Sequence, residues 1–362
     1  MSQSTNAKFP PAKLTLKDGT VFRGFSFGYA APAAGEVVFN TGMVGYPETL
    51  TDPSYYGQIL VLTYPLIGNY GVPPAAEADP LSSFFESPRV QIRGLILSTQ
   101  IEEFSHWSAA TSLREWLLRE KIPALCGIDT RQLTRLLREH GTMLGKIEIG
   151  DSRTDYDDPN QRNLMPSVSI PAPQKLGSGK IRIALLDCGC KAGIIRSLLK
   201  RGLEILRLPW NHDLTREDFD GLLVSNGPGN PKMCRPTILQ IQQAVRRNVP
   251  ILGICLGNQL LALAAGANTY KLKYGHRGQN QPVIETGTNR CLITSQNHGF
   301  AVDGTTLPDD WQPWFLNLND GSVEGIRHRS GRFLGVQFHP EASPGPEDAE
   351  YLFDQFLELI QK

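Results

Sequence analysis

The chain has 362 residues, and its 36 Lys plus Arg are balanced by 36 Asp plus Glu. A neutral chain without a polybasic stretch lacks the electrostatic footprint of a nucleic-acid or membrane-surface binder, so neither partner is expected. With 40% hydrophobic and 20% charged residues, the composition is that of a globular protein with two or three domains, not of a disordered one. Residues 14–22, LTLKDGTVF, place two β-prone runs around Asp18-Gly19 and predict a tight hairpin. Residues 36–39 and 58–62 read as strands, and residues 113–120 and 130–140 carry helical spacing. In the second of these helices Leu133, Leu136 and Leu137 form an apolar stripe. Arg131, Arg135 and Arg138 face away from it, as a solvated face, and Asp129 or Thr130 supplies the cap. Residues 1–150 are therefore expected to form a mixed α/β domain.

Residues 151–179 are polar and rich in Pro, Asp, Ser and Gly, which suits a linker or surface excursion. Residues 180–362 alternate more regularly. Strands are expected at 181–186, 204–208, 221–224 and 249–254, with helices at 192–201, 236–247 and 258–265. Shorter strands follow at 291–294, 323–327 and 333–338, then an amphipathic helix over 347–361. This alternation predicts an α/β fold with an open, mostly parallel sheet flanked by helices.

No apolar run approaches the roughly 20 residues of a membrane span. The opening MSQSTNAKFPPAK has neither a basic nor an apolar region, so no secretory signal is expected. Six cysteines without a CxxC pair predict no disulfide framework and no metal site, in keeping with a reducing cytoplasm.

The sharpest chemical feature is Gly253-Ile-Cys255-Leu-Gly257 between a buried strand and a helix. That pattern is a nucleophile elbow in cysteine form. Its glycines relieve clashes at the sharp turn, and the helix N-terminus favours a thiolate. The Leu256 N–H is placed to donate to an oxyanion. Taken alone, the pattern equally suits a small buried cysteine beside a helix-packing glycine. A cysteine nucleophile needs a base and an orienter. His339 ends a strand and is followed by Pro340-Glu341. On an extended segment residues two apart lie about 7 Å apart on the same side, within reach of a Glu side chain. The dense loop Ser225-Asn-Gly227-Pro-Gly229-Asn-Pro231 offers bare N–H groups, and Gln296-Asn297-His298-Gly299-Phe300 is a polar and aromatic cluster after a strand. Neither GxGxxG nor the phosphate-loop spacing occurs.

In chain order, the Ser225–Pro231 loop, the Cys255 elbow, residues 296–300 and His339-Pro-Glu341 resemble the class I glutamine amidotransferases. The first half adds Gly35-Glu-Val-Val-Phe-Asn-Thr41, Leu50-Thr-Asp-Pro-Ser-Tyr55, Thr63-Tyr-Pro-Leu-Ile-Gly-Asn69 and Asp129-Thr-Arg-Gln-Leu-Thr134. These are similar to the N-terminal domain of carbamoyl phosphate synthetase small subunits. The resemblance implies a glutaminase in which Cys255 attacks the amide, His339 moves the proton and Glu341 orients the imidazole. It implies glutamine contacts from Ser54, Gly227, Gly229, Leu256, Gln259, Asn297, Gly299 and Phe300, with Ser54 contributed by the first domain. It also implies no cofactor or metal in this chain. A large-subunit partner would use ATP, Mg and bicarbonate to make carbamoyl phosphate for arginine or pyrimidine biosynthesis. Two positions depart from the resembled pattern: Asn258, often His, and Asn230, usually Asp. Another amidotransferase, a silent scaffold and a free-standing cysteine hydrolase are the competing readings. They would lack, respectively, the first domain, a triad member and any response to a partner.

Overall fold

The computed structural model describes residues 9–74, 81 and 84–362. The chain divides into two compact units, Met1–Pro159 and Asn160–Lys362. The first is built on β1 (Pro11–Leu16), β2 (Val21–Ser26), β3 (Ala33–Asn40), α1 (Tyr46–Thr51), β4 (Gln58–Leu62) and β5 (Gly94–Ile96). It continues with α2 (Leu113–Arg119), β6 (Ala124–Cys126), α3 (Thr130–His140) and β7 (Met143–Ile149). The seven strands close into a barrel in the order β1-β2-β6-β5-β4-β3-β7. Closure leaves no unpaired edge, and the expected hairpin is there, with Thr15 opposite Val21. Gly19 takes a φ of +91° at its turn, a conformation that costs a glycine nothing.

Successive residues of a strand point to opposite faces. Val37, Phe39, Ile59 and Val61 accordingly enter one core, whereas Val38, Leu60 and Leu62 enter another with Tyr46 and Trp116. Asp129 caps α3 by accepting from the Gln132 N–H at 2.8 Å. Leu133 and Leu137 are buried, while Arg131 and Arg135 are exposed and Arg138 lies over the Phe39 ring. Strands β5, β6 and β7 were not anticipated: the first two are only three residues long and carry too few residues to show a period.

The second unit opens with β8 (Gln174–Leu176), β9 (Arg182–Asp187), α4 (Ala192–Lys200), β10 (Glu204–Pro209), β11 (Gly221–Val224), α5 (Arg235–Arg246) and β12 (Ile251–Ile254). There follow α6 (Leu256–Ala265), β13 (Asn268–Glu285), β14 (Cys291–Asp303), β15 (Trp311–Asn317), β16 (Val323–His328), β17 (Phe333–Val336) and α7 (Tyr351–Gln361). They form a ten-stranded sheet in the order β14-β13-β15-β16-β17-β12-β11-β9-β10-β8. Its centre, from β17 to β10, is parallel. These central strands are nearly continuous apolar runs because helices cover both faces. The flanks are antiparallel, and β13 with β14 makes a long paired extension.

Residues 160–176 belong to this second unit: Met165 is fully buried in its core, and β8 pairs with the edge of β10. The cluster 296–300 lies inside β14 and not after a strand. The closing helix starts at Tyr351, four residues later than its composition suggests.

Candidate active site

Cys255 stands where β12 ends and α6 begins, with φ 53° and ψ −104°. A non-glycine residue held there stores about 1–3 kcal/mol of strain, which persists only when its surroundings overdetermine it. They do so here. The Cys255 N–H donates to the Val336 carbonyl at 2.8 Å, continuing the β12–β17 ladder. A Cβ on Gly253 would meet the Gly257 backbone, and one on Gly257 would collide with the Val224 carbonyl. Both glycines are thus required by close approach, not by turn geometry alone. Leu256 is the first residue of α6, where a helix N–H has no intrahelical acceptor.

His339 is brought to the nucleophile by an isolated bridge to Ser295, its N–H donating to the Ser295 carbonyl at 2.9 Å. The strand itself stops at Val336, and Pro340-Glu341 turns instead of extending, with the Ala342 N–H returning to the His339 carbonyl at 3.1 Å. The turn shortens the path, and Glu341 Oε1 lies 2.7 Å from His339 Nδ1. His339 Nε2 is left free to interact with the Cys255 side chain. All three side chains are buried.

One residue of this cluster escaped the sequence reading. Lys191, the cap position of α4, is only 3% exposed. Its Nζ lies 3.0 Å from Glu341 Oε1 and donates to the Ala342 carbonyl at 2.7 Å. Its only sequence signal was a helix start, since its partner is far away along the chain.

The charges set one another. Burial pushes His339 down, but the Glu341 carboxylate outweighs it and lifts the imidazole to about 10, with Lys191 opposing. Burial pushes Glu341 up, and Lys191 and His339 overcome it, holding the carboxyl at about 2. The site is therefore a buried imidazole–carboxylate–ammonium row abutting the Cys255 side chain.

Of the predicted contacts of the second unit, Leu256 and Asn297 adjoin the nucleophile. Cys255 Sγ lies 3.8 Å from the Asn297 carbonyl, and Gln259 Nε2 donates to the Phe300 carbonyl at 2.8 Å. Gly227 packs so tightly on the Cys188 carbonyl and the Leu256 side chain that a Cβ would not fit. Gly229 takes a φ of +86°, beside Leu164, and Gly299 lies against Arg277. The loop is tied down by Ser225 Oγ, which accepts from the Cys188 N–H at 2.9 Å, and by Asn226 Oδ1, which accepts from the Lys191 N–H at 3.0 Å. Asn230 accepts from the Lys232 N–H at 3.1 Å, so the turn-capping bond expected of an Asp is made. Ser54 belongs to the first unit, where Asp52 Oδ1 accepts its N–H at 2.9 Å.

A second buried polar cluster supports β14. Burial pushes His276 down, but Glu324 and Asp320 outweigh it and hold it above its ordinary value, both carboxylates lying 2.9 Å from its ring nitrogens. Burial, helped by the His276 charge, pushes His298 well down, and its Nδ1 donates to the Phe300 carbonyl at 2.9 Å. His276, His298 and Glu324 are also the described residues whose ligand atoms converge, within 4.8 Å of one another, in a set able to hold a metal. Among the described residues no helix is long and apolar enough to cross a membrane.

Residues 14–147 match the family described as carbamoyl-phosphate synthase small chain, CPSase domain, and residues 184–359 match glutamine amidotransferase class-I. The carbamoyl phosphate synthase arginine-specific small chain of Neosartorya fischeri is 48% identical over 97% of this chain and 80% of its own length. The mitochondrial carbamoyl-phosphate synthase [ammonia] of Aquarana catesbeiana is 49% identical over 99% of this chain, which spans only 24% of that longer protein. A solved glutamine amidotransferase from Thermotoga maritima is 18% identical, with a TM-score of 0.42 over 51% of this chain and 100% of its own. With nearly half its residues shared with a fungal small chain over 97% of its own length and 80% of that relative's, this chain belongs to the carbamoyl-phosphate synthase small chain family.

Proposed function

We propose that the chain is the glutaminase subunit of a carbamoyl phosphate synthase. The observation that carries this reading is the buried row of Cys255, His339 and Glu341 at a strained strand-to-helix elbow. The Cys255 sulfur attacks the side-chain carbonyl carbon of glutamine as its thiol proton passes to His339. The tetrahedral oxyanion is met by N–H groups of Leu256 and Gly227, each such donor being worth about 3–4 kcal/mol. His339, its imidazolium stabilised by Glu341, gives that proton to the departing nitrogen, and ammonia leaves a glutamyl thioester. Water then adds to the thioester as His339 takes its proton and passes it to the departing sulfur, so glutamate is released and the thiol is restored.

Ser54, Gly229, Gln259, Asn297, Gly299 and Phe300 complete the proposed glutamine contacts. Residues 1–150 serve as the domain that meets the partner and residues 180–362 as the glutaminase, with residues 151–159 leading into the second unit, to which residues 160–176 already belong. The ammonia passes to a large partner subunit that uses ATP, Mg and bicarbonate in the cytoplasm. Arginine biosynthesis is the favoured destination, as the fungal small chains carry an arginine-specific name.

The test is glutamate release by the chain alone and with a carbamoyl phosphate synthetase large subunit, ATP and bicarbonate. A slow rate that rises sharply in the full mixture is expected. Cys255→Ser is expected to abolish glutamine-dependent synthesis and spare synthesis from free ammonia. Loss of both activities together would refute the division of labour, and a rate indifferent to the partner would favour a free-standing hydrolase.

A further inference from the structure

The proposed reaction makes no use of one side chain at the nucleophile. Gln337, one residue beyond β17, is fully buried. A buried carboxamide is costly unless both its ends are paired, and both are paired here. Its Oε1 accepts from Gln259 Nε2 at 3.1 Å and from Asn258 Nδ2 at 3.3 Å. Gln259 Nε2 also donates to the Phe300 carbonyl, which settles that it is the nitrogen of Gln259 that faces Gln337. The oxygen of Gln337 is thereby committed, and its Nε2 is turned onto Cys255 Sγ at 3.7 Å. The backbone is pinned as well: the Gln337 N–H donates to the Glu324 carbonyl at 2.8 Å. Gly335 lies so close to the Asn258 side chain that a Cβ there would displace it.

We propose that Gln337 is a catalytic residue whose amide N–H donates to the Cys255 sulfur and stabilises the attacking thiolate, while Gln259 and Asn258 act as positioning residues for that amide. The inference rests on the reading of Cys255 as nucleophile. It also accounts for Asn258, because a carboxamide at that position points a donor at the Gln337 oxygen instead of presenting a second imidazole. The titratable groups around the sulfur are His339, backed by Glu341 and Lys191, and His298 on β14 within electrostatic reach of His339. The N-terminus of α6 adds its partial positive charge. Gln337 supplies the neutral side-chain donor in this set, and a hydrogen bond to a charged acceptor is stronger than one between neutral groups.

The experiment compares the wild-type chain with Gln337→Met and Gln337→Glu. Methionine keeps the length and removes the N–H; glutamate keeps an acceptor for Gln259 and Asn258 but replaces the donor. Alkylation of Cys255 by iodoacetamide is followed against pH by peptide mass spectrometry, which separates it from the exposed Cys291. At pH 7 the methionine variant is expected to alkylate roughly 10-fold more slowly, with rates converging at high pH. The glutamate variant should be at least as slow. A wild-type pH profile in either folded variant overturns the proposal. Glutamate release is measured alongside. A wild-type chain that alkylates at Cys255 yet never releases glutamate would refute the glutaminase reading, while the comparison of profiles still decides the role of Gln337.

Discussion

Replacing Lys191 with methionine removes a buried ammonium while keeping the length and apolar surface of its stem. The ammonium lies 3.0 Å from Glu341 Oε1, and both side chains are almost completely buried. Breaking a buried ion pair by deleting one partner costs about 3–5 kcal/mol, because the surviving charge is left uncompensated. Glu341 keeps His339 as a second partner at 2.7 Å, so the low end, about 3 kcal/mol, applies. At about 2–4 °C per kcal/mol for a unit of this size, the melting temperature at pH 7 should fall by about 6–12 °C.

The sign of the pH dependence follows from Glu341. Its carboxyl is held at about 2, below the usual carboxylate range near 4.3. Its ionisation therefore stabilises the fold above that range, and the contribution is lost as pH falls towards 2. Without Lys191 the carboxyl protonates at a higher pH. The stability gap between wild type and variant should thus be constant above about pH 5 and narrow on further acidification. Calorimetric or fluorescence melts from pH 7 to pH 3 measure both effects. A variant that melts with the wild type at pH 7, or a gap that does not narrow in acid, would refute the argument.

Two further outcomes follow from the site geometry. Gly257→Ala drives a Cβ into the Val224 carbonyl, so it should cost about 1–3 kcal/mol in urea unfolding and reduce glutamate release together; wild-type values for both would contradict the packing account of the elbow. Glu341→Gln should lower the rate of glutamate release less than His339→Ala does, because a carboxamide oxygen still accepts from Nδ1. His339, no longer lifted by the carboxylate, should titrate at lower pH by NMR; an unmoved imidazole, or greater damage from the Glu341 change, would sink the orienting role.

Features legible in the sequence were those whose physics is local. The hairpin at Asp18-Gly19, the Asp129 cap and the parallel core strands each follow from a few adjacent residues or a short period. The elbow is of this kind, since strand, glycine, cysteine, glycine and helix are contiguous. The polar flank of the sheet was harder to read. Strand β13 contains Lys271, Lys273, Arg277 and several amides, and its pairing with β14 carries register shifts, so no clean alternation marks it.

By itself, then, the sequence determined that a strained thiol would sit at a helix N-terminus with an imidazole and a carboxylate two residues apart elsewhere in the chain. Only the tertiary structure decided how these groups are charged and oriented. Lys191 meets Glu341 because β9 and β17 lie in one parallel sheet, with β11 and β12 between them. Gln337 meets Cys255 because β12 and β17 are neighbours in register. Burial and long-range contact set ionisation and amide orientation, and neither is encoded in the spacing of residues along the chain.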